Sequence, residues 1–105
     1  MLLLTDVETV DCVANKTVPE GSNVTLRCSA RTDADSRAVI SWEKDGKALN
    51  GSAAGVVISG SANASVLTIV GSKRWHAGLY KCVAKNNNSG VTKACPEARV
   101  IVQCK

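Results

Sequence analysis

Hydrophobic and polar residues alternate along several short stretches of the chain. In residues 24–30 the apolar side chains are separated by Thr25, Arg27 and Ser29, which gives a repeat of two residues. Such a repeat places one set of side chains in a core and the other in water, as in a β-strand that is buried on one face. The same alternation occurs in residues 39–43, 67–69, 80–85 and 98–104. The pattern therefore predicts a domain built from short β-strands.

Turn-forming residues separate these stretches. Segments rich in Gly, Asn and Ser occupy residues 50–55, 59–65 and 86–90, and residues 44–47 have the composition of a tight turn. No segment keeps a helical repeat, and at most one helical turn is predicted, around residues 71–75. Short strands with frequent turns predict an all-β fold, a β-sandwich of two packed antiparallel sheets.

The length of 105 residues suits one compact domain. The core has to be built without Phe, and the aromatic residues are Trp42, Trp75 and Tyr80. No apolar run approaches the roughly 18 residues of a membrane span, so we expect no direct membrane insertion by this domain. The apolar start at residues 2–4 is shorter than the roughly 7–15 residues of a signal-peptide core. We expect residues 1–8 to be a lead-in and residues 9–105 to form a domain cut from a longer protein.

Charge is distributed unevenly along the chain. Residues 1–52 hold six Lys or Arg against eight Asp or Glu, whereas residues 53–105 hold seven basic residues and one acid, Glu97. This distribution fits either an ordinary solvated surface or a basic patch for an acidic partner or an anionic glycan. No basic cluster is interleaved with aromatic residues, so we expect no nucleic-acid partner.

Cysteine and asparagine usage both indicate an oxidising, extracellular compartment. None of the five cysteines lies in a C-x-x-C pair, and their density suits a secreted or cell-surface domain. Five N-x-S/T acceptor triplets for N-glycosylation occur where roughly one is expected by chance. The triplets begin at Asn15, Asn23, Asn50, Asn63 and Asn87.

Two aromatic residues stand at a diagnostic spacing around the two central cysteines. Trp42 follows Cys28 by 14 residues, and Tyr80 precedes Cys82 by two. With the motifs in residues 19–28, 42–49, 67–69 and 77–82, this pattern resembles the intermediate-set (I-set) immunoglobulin domains over about residues 9–104. The resemblance implies Greek-key connections and a core disulfide Cys28–Cys82 under Trp42. It also implies a tyrosine corner at Tyr80 and core positions at Leu67 and Ile69.

The resemblance also bears on the other cysteines. In I-set domains an early strand, here about residues 12–20, runs parallel to the last strand, about residues 95–104. If Glu20 lies near Gln103, eight steps back along both strands bring Cys12 beside Cys95, which predicts a second disulfide. Cys104 is then left unpaired, as a bridge to another domain, a bridge to a second chain, or a free thiol.

One position departs from the family pattern. Two residues before the glycine of the tyrosine corner, the family usually has an Asp that pairs with an Arg, and this chain has His76. We expect the ion pair to be lost and His76 to lie on the surface.

The sequence carries no recognisable catalytic constellation. With one histidine, no Ser-His-Asp set can be assembled, and no glycine-rich phosphate loop precedes a helix. Asp33 and Asp35 form only a small acidic loop. We therefore expect a protein that is not an enzyme, with no cofactor and no bound metal.

A partner surface is predicted by excluding the glycan acceptors, because a bulky glycan does not suit a tight interface. The outward face of strands 39–43, 80–85 and 98–103 has no triplet within its strands, and its outward residues are Ser41, Glu43, Lys81, Val83, Lys85, Arg99 and Ile101. The expected function is protein recognition or adhesion, homophilic, heterophilic or of the allorecognition type, by a cell-surface receptor ectodomain. The alternatives are a secreted matrix or immune binding protein and an intracellular muscle-type structural domain.

Overall fold

The computed structural model describes residues 7–32, 36–49 and 54–104. Asn50 and the acidic loop at Asp33 and Asp35 lie outside the described residues. The strands are β1 (Glu8–Asp11), β2 (Lys16–Pro19), β3 (Val24–Arg31), β4 (Ala38–Lys44), β5 (Lys47–Leu49), β6 (Val56–Ser61), β7 (Ala64–Ile69), β8 (Gly78–Asn86), β9 (Thr92–Ala94) and β10 (Ala98–Gln103). One 3-10 helix, Arg74–His76, precedes β8. In the described ranges no helix is both long enough and apolar enough to cross a membrane.

Two sheets pack face to face, so the all-β sandwich predicted from the alternation is confirmed. One sheet has the strand order β1-β3-β7-β6, and the other has β2-β10-β8-β4-β5, with β9 also paired to β8. Strand β3 alternates between buried and more exposed positions along its whole length, as its period of two requires. Long-range pairings between β3 and β7 and between β4 and β8 hold each sheet together.

The start of the chain contributes to both sheets. Strand β1 pairs antiparallel with β3, whereas β2 pairs in parallel with β10, from Lys16 opposite Val100 to Pro19 opposite Gln103. The amide of Glu20 donates to the carbonyl oxygen of Gln103 at 2.8 Å. Glu20 and Gln103 are therefore neighbours, which is the assumption that placed Cys12 beside Cys95.

Trp42 lies at the centre of the core between the sheets. It is 2% exposed and belongs to the same buried cluster as Leu67, Ile69 and both core cysteines. Its indole N–H donates to the hydroxyl of Ser65 at 2.9 Å. The one polar atom of the indole is thereby satisfied without water, which removes the main cost of burying a tryptophan completely.

The structure differs from the sequence-based boundaries at three places. Residues 59–65, predicted as a connection, form the turn and the adjoining strand ends of a hairpin in which β6 pairs with β7. Val7 is 2% exposed in a small cluster with Ala30, Ala38 and Ala84, and β1 begins at Glu8, so both residues belong to the folded domain. The predicted last strand is interrupted at residues 95–97. Strand β6 was missed because most of its residues are exposed at a sheet edge, which hides the alternation.

Tyr80 forms the tyrosine corner. It is fully buried, and its hydroxyl donates to the backbone carbonyl oxygen of His76. Burial, assisted by the negative charge of Asp45, raises the pKa of the Tyr80 phenol to about 12.

We predict an alkaline loss of stability from this single side chain. The folded protein keeps the phenol proton up to about pH 12, whereas the unfolded chain loses it near the ordinary pKa of 10.0. Between these values the unfolded state binds fewer protons, so the free energy of unfolding falls as the pH rises, by about 1.4 kcal/mol per unit. Because Tyr80 is the only tyrosine, phenolate absorbance of the folded protein reports its ionisation directly.

The control for this prediction is Tyr80→Phe, which removes the titrating group. Its unfolding free energy should fall less steeply over the same pH range, after both proteins are compared at neutral pH. A folded wild-type protein whose phenolate appears with a midpoint near 10 would contradict the prediction.

Candidate functional site

Two disulfides cross the molecule at different depths. Cys28 on β3 is bonded to Cys82 on β8, with a Cα–Cα distance of 6.5 Å, and this bond joins the two sheets beneath Trp42. Cys12 is bonded to Cys95, with a Cα–Cα distance of 5.5 Å. Both are the pairs that the sequence and its resemblance predicted. The second bond fastens the segment between β1 and β2 to the segment between β9 and β10.

Cys95 points inward because it continues the register of β9. Ala94 lies opposite Val83, so the next residue lies beside the buried Cys82, and the amide of Cys95 donates to the carbonyl oxygen of Cys82 at 2.9 Å. Cys95 is accordingly 2% exposed. A β-bulge follows, because Ala98 lies opposite Tyr80 and four steps on this side therefore match three on β8.

The remaining cysteine and the candidate metal ligands do not form a site. Cys104 is exposed and has no disulfide partner within the described chain. In the same residues, the one group of three side chains with metal-binding atoms close together is Cys28, Cys82 and Cys95, all of which are in disulfides. These sulfurs are not available as thiolate ligands.

The expectation that His76 lies on the surface is wrong. The imidazole is buried, with 5% of the residue exposed. Nδ1 accepts the amide N–H of Lys73 at 2.9 Å, and Nε2 lies 2.9 Å from the carbonyl oxygen of Ala54. A ring whose Nδ1 is an acceptor carries its proton on Nε2, so it donates to Ala54. His76 thus ties the 3-10 helix to the chain before β6, and these backbone partners explain its burial.

The predicted partner residues occupy three adjacent strands of one sheet. Cross-strand register places Ser41 opposite Val83 and Glu43 opposite Lys81. Lys81 Nζ lies 3.4 Å from the Glu43 carboxylate, so that pair of charges is mutually compensated. Lys85, Arg99 and Ile101 are exposed, and Ile101 is 43% exposed.

The sequence analysis missed Val39, the most exposed apolar side chain on this surface. Val39 is 57% exposed and lies opposite Lys85, diagonal to Val83. It has the same parity as Ser41 and Glu43, which is the signal that could have identified it. We call the following set the candidate face: Val39, Ser41, Glu43, Lys81, Val83, Lys85, Arg99 and Ile101.

The described glycan acceptors are anchored through their side-chain oxygens. Each accepts a backbone amide of another segment: Asn15 from Arg99 at 2.8 Å, Asn23 from Gly71 at 3.0 Å, Asn63 from Ala38 at 2.6 Å, and Asn87 from Arg37 at 3.0 Å. Asn15, Asn23 and Asn87 are exposed. The Nδ2 atom, to which a glycan would be attached, is a different atom from the one that makes these contacts.

Two of these acceptors change the argument that the partner surface lies away from the glycans. Asn15 contacts the backbone of Arg99, so a glycan there would stand at the β10 edge of the candidate face rather than away from it. Asn63 is half-buried at the β6–β7 turn with φ of 73°, and Ser65 of its triplet is the partner of Trp42. Asn tolerates this left-handed conformation better than most residues, which is a structural reason for an asparagine here.

Trp75 lies in the 3-10 helix and is 66% exposed, the highest value among the large apolar residues described. The helical turn was predicted over residues 71–75, and the helix occupies Arg74–His76 instead. The His76 contacts hold its backbone, so the indole projects from a fixed turn into solvent. Sequence alternation gave no signal for this exposure, because the segment is not a strand.

The immunoglobulin-domain family model matches residues 14–94, which include both core cysteines, Trp42 and Tyr80. The chain belongs to the immunoglobulin-domain family. This family is generally non-enzymatic. The resemblance seen in the sequence is thereby confirmed at the level of the family, and the sandwich is an immunoglobulin domain.

Several solved structures share the fold of this immunoglobulin domain. The titin domains Z1Z2, in complex with telethonin, are 26% identical with a TM-score of 0.80, over 94% of this chain and 48% of that chain. The N-terminal Ig1-2 module of the Drosophila receptor protein tyrosine phosphatase DLAR is 24% identical with a TM-score of 0.81, over 94% and 50%. The Dscam1 Ig7 domain is 23% identical with a TM-score of 0.72, over 92% and 98%. This chain thus spans about half the length of the two-domain structures it matches.

Proposed function

We propose that this immunoglobulin domain is an extracellular recognition module, without catalytic activity, from the ectodomain of a cell-surface receptor or adhesion protein. Its partner is a protein, bound through the candidate face. The carrying observation is an apolar pair on two neighbouring strands, in which Val39 is 57% exposed and lies diagonally across from the half-buried Val83. Ser41 and the Glu43–Lys81 ion pair lie beside this pair, and Lys85 lies opposite Val39. A centre poor in unpaired charge with a polar rim is typical of protein–protein interfaces.

Three observations support the extracellular part of the proposal. Two disulfides are typical of an oxidising compartment. Acceptor triplets are more frequent than chance, and three of the described acceptors are exposed. The similar structures include a receptor phosphatase module, which fits a cell-surface location. A secreted matrix or immune binding protein would share these features, and the likeness to titin keeps a muscle-type structural domain as the third alternative.

The test begins with expression in a secreting eukaryotic cell. We expect glycans on the exposed acceptors Asn15, Asn23 and Asn87 and both disulfides intact, as measured by non-reducing peptide mapping. A secreted product without any glycan would contradict the extracellular proposal. The intracellular alternative would then be favoured.

The candidate face is tested by a matched pair of valines on the two sheets. In the homophilic form of the proposal, sedimentation velocity shows self-association that Val39→Arg weakens at least tenfold. Val57→Arg is the control, because Val57 is 54% exposed on the opposite sheet. Equal weakening by both substitutions would reject the candidate face, and a protein that stays monomeric at every concentration would reject homophilic binding.

A further inference from the structure

The two disulfides lie close to each other. The sulfur atoms of Cys28, Cys82 and Cys95 all lie within 4.8 Å of one another. Cys95 is 2% exposed, and Cys28 and Cys82 are equally buried. The fourth sulfur belongs to Cys12, which is exposed. A thiol in solution therefore reaches this group of four sulfurs through Cys12.

A groove with two cations opens beside Cys12. Its volume is about 270 Å³, and its walls include Cys12, Thr25, Lys16 and Arg27. Both basic side chains are exposed, and neither takes part in the ion pairs of the described residues. The carboxylate of Asp11 accepts the hydroxyl of Ser29 at 2.9 Å and lines the adjacent groove with Arg27, so two cations here face one anion. The groove therefore favours a small molecule that carries negative charge.

We propose that the Cys12–Cys95 disulfide is an exchange site for a small anionic thiol of the glutathione type, which becomes bonded to Cys12, and that the released Cys95 sulfur then exchanges with the core disulfide. The inference goes beyond protein recognition and does not depend on the candidate face. In this proposal the groove lined by Lys16 and Arg27 binds the incoming thiol, and the proximity of three sulfur atoms allows the second step.

In the first step the thiolate attacks Cys12 Sγ. A bond forms between the thiol sulfur and Cys12, the Cys12–Cys95 bond breaks, and the electron pair leaves on Cys95 Sγ. Attack at Cys12 is favoured over attack at Cys95, because exchange depends on which sulfur is accessible. The thiol supplies the electrons, so no other reductant is needed.

In the second step Cys95 Sγ attacks one sulfur of the Cys28–Cys82 bond. A new disulfide forms from Cys95 to Cys28 or Cys82, and the displaced sulfur takes the electron pair and a proton from water. The number of disulfides within the core is unchanged. A bond between Cys95 and Cys28 would still join the two sheets, while the segment at Cys12 would be released from the last strand.

The experiment uses the full chain in a Cys104→Ser background, because Cys104 is an exposed thiol that would exchange by itself. Reduced glutathione is added in limiting amounts, the reaction is quenched with acid, free thiols are alkylated, and peptides are mapped without reduction. We expect glutathione on Cys12, a disulfide from Cys95 to Cys28 or Cys82, and one alkylated core cysteine.

Two comparisons test the groove. Lys16→Gln with Arg27→Gln is expected to slow the reaction with glutathione about tenfold and to leave the rate with the neutral thiol 2-mercaptoethanol unchanged. The matched control is Lys47→Gln with Lys73→Gln, which removes two exposed cations outside the groove. The assignment of the groove would be overturned if Lys16→Gln with Arg27→Gln changed the two rates no more than the control substitutions do, or slowed the reactions with both thiols equally.

The mapping distinguishes the two steps. Glutathione found on Cys95, or no reaction at Cys12, would overturn the exchange site. Glutathione on Cys12 in molecules that all retain Cys28–Cys82 would overturn the second step.

Discussion

Replacing Trp42 with alanine is expected to lower the free energy of unfolding by about 3–5 kcal/mol. Trp42 is 2% exposed, packs with the core disulfide and is the largest side chain of a core that contains no Phe. The other buried aromatic ring of this cluster, Tyr80, is held by its own hydrogen bond to His76. The substitution also removes the donor to the buried hydroxyl of Ser65. Urea unfolding followed by circular dichroism measures the loss.

Trp75→Ala is the matched control, because it removes the same side chain from an exposed position. We expect a change within about 0.5 kcal/mol, as for most surface substitutions. Because the chain has two tryptophans, each variant retains the fluorescence of one of them alone. Equal losses of stability in both variants would contradict the assignment of Trp42 as the centre of the core.

The paired substitution Cys28→Ala with Cys82→Ala is expected to cost about 4 kcal/mol from chain entropy for a sequence separation of 54 residues. Loss of sulfur contacts with Trp42 and the other core residues adds to this cost. The measurement is urea unfolding under non-reducing conditions, with the Cys12–Cys95 bond verified by peptide mapping.

The matched control is Cys12→Ala with Cys95→Ala, which removes the outer bond. The outer bond joins cysteines that are 83 residues apart, and both cysteines of the core bond lie between them in the sequence. Chain entropy makes the two removals nearly equal, because each bond shortens the loop that the other closes. Removal of the outer bond should nevertheless cost less, because the core bond has two buried cysteines whereas Cys12 is exposed. A larger loss from the outer pair would show that the core bond is not the main covalent tie.

The sequence predicts the fold and the cysteine pairing for identifiable physical reasons. Alternation in residues 24–30 is strong because β3 is buried on one face and solvated on the other. Cys12 comes near Cys95 because β2 runs parallel to β10, although the observed register, Lys16 opposite Val100, differs by one residue from the one that would pair these cysteines directly. The alternation is a property of the linear sequence, whereas the parallel pairing was implied by the resemblance to I-set domains.

Other features depend on contacts that the linear pattern does not contain. The burial of His76 results from two backbone partners, one of them Ala54, which is remote in sequence. Cys95 and Ala98 both point inward although they are three residues apart, because a bulge lies between them. Asn15 lies at the edge of the candidate face because its side-chain oxygen accepts the backbone amide of Arg99 on β10. Local composition does not encode these three positions.

The parallel pairing of β2 and β10 has a mechanical consequence for a chain pulled at its two ends. Without a covalent tie the load would act along both strands in opposite directions, and their hydrogen bonds would be sheared together. The outer disulfide instead carries the tension directly from Cys12 to Cys95, so that β2, which lies between these cysteines, bears no load. The residues between these two cysteines, including the whole Trp42 core, are shielded from the force and do not extend while that bond holds.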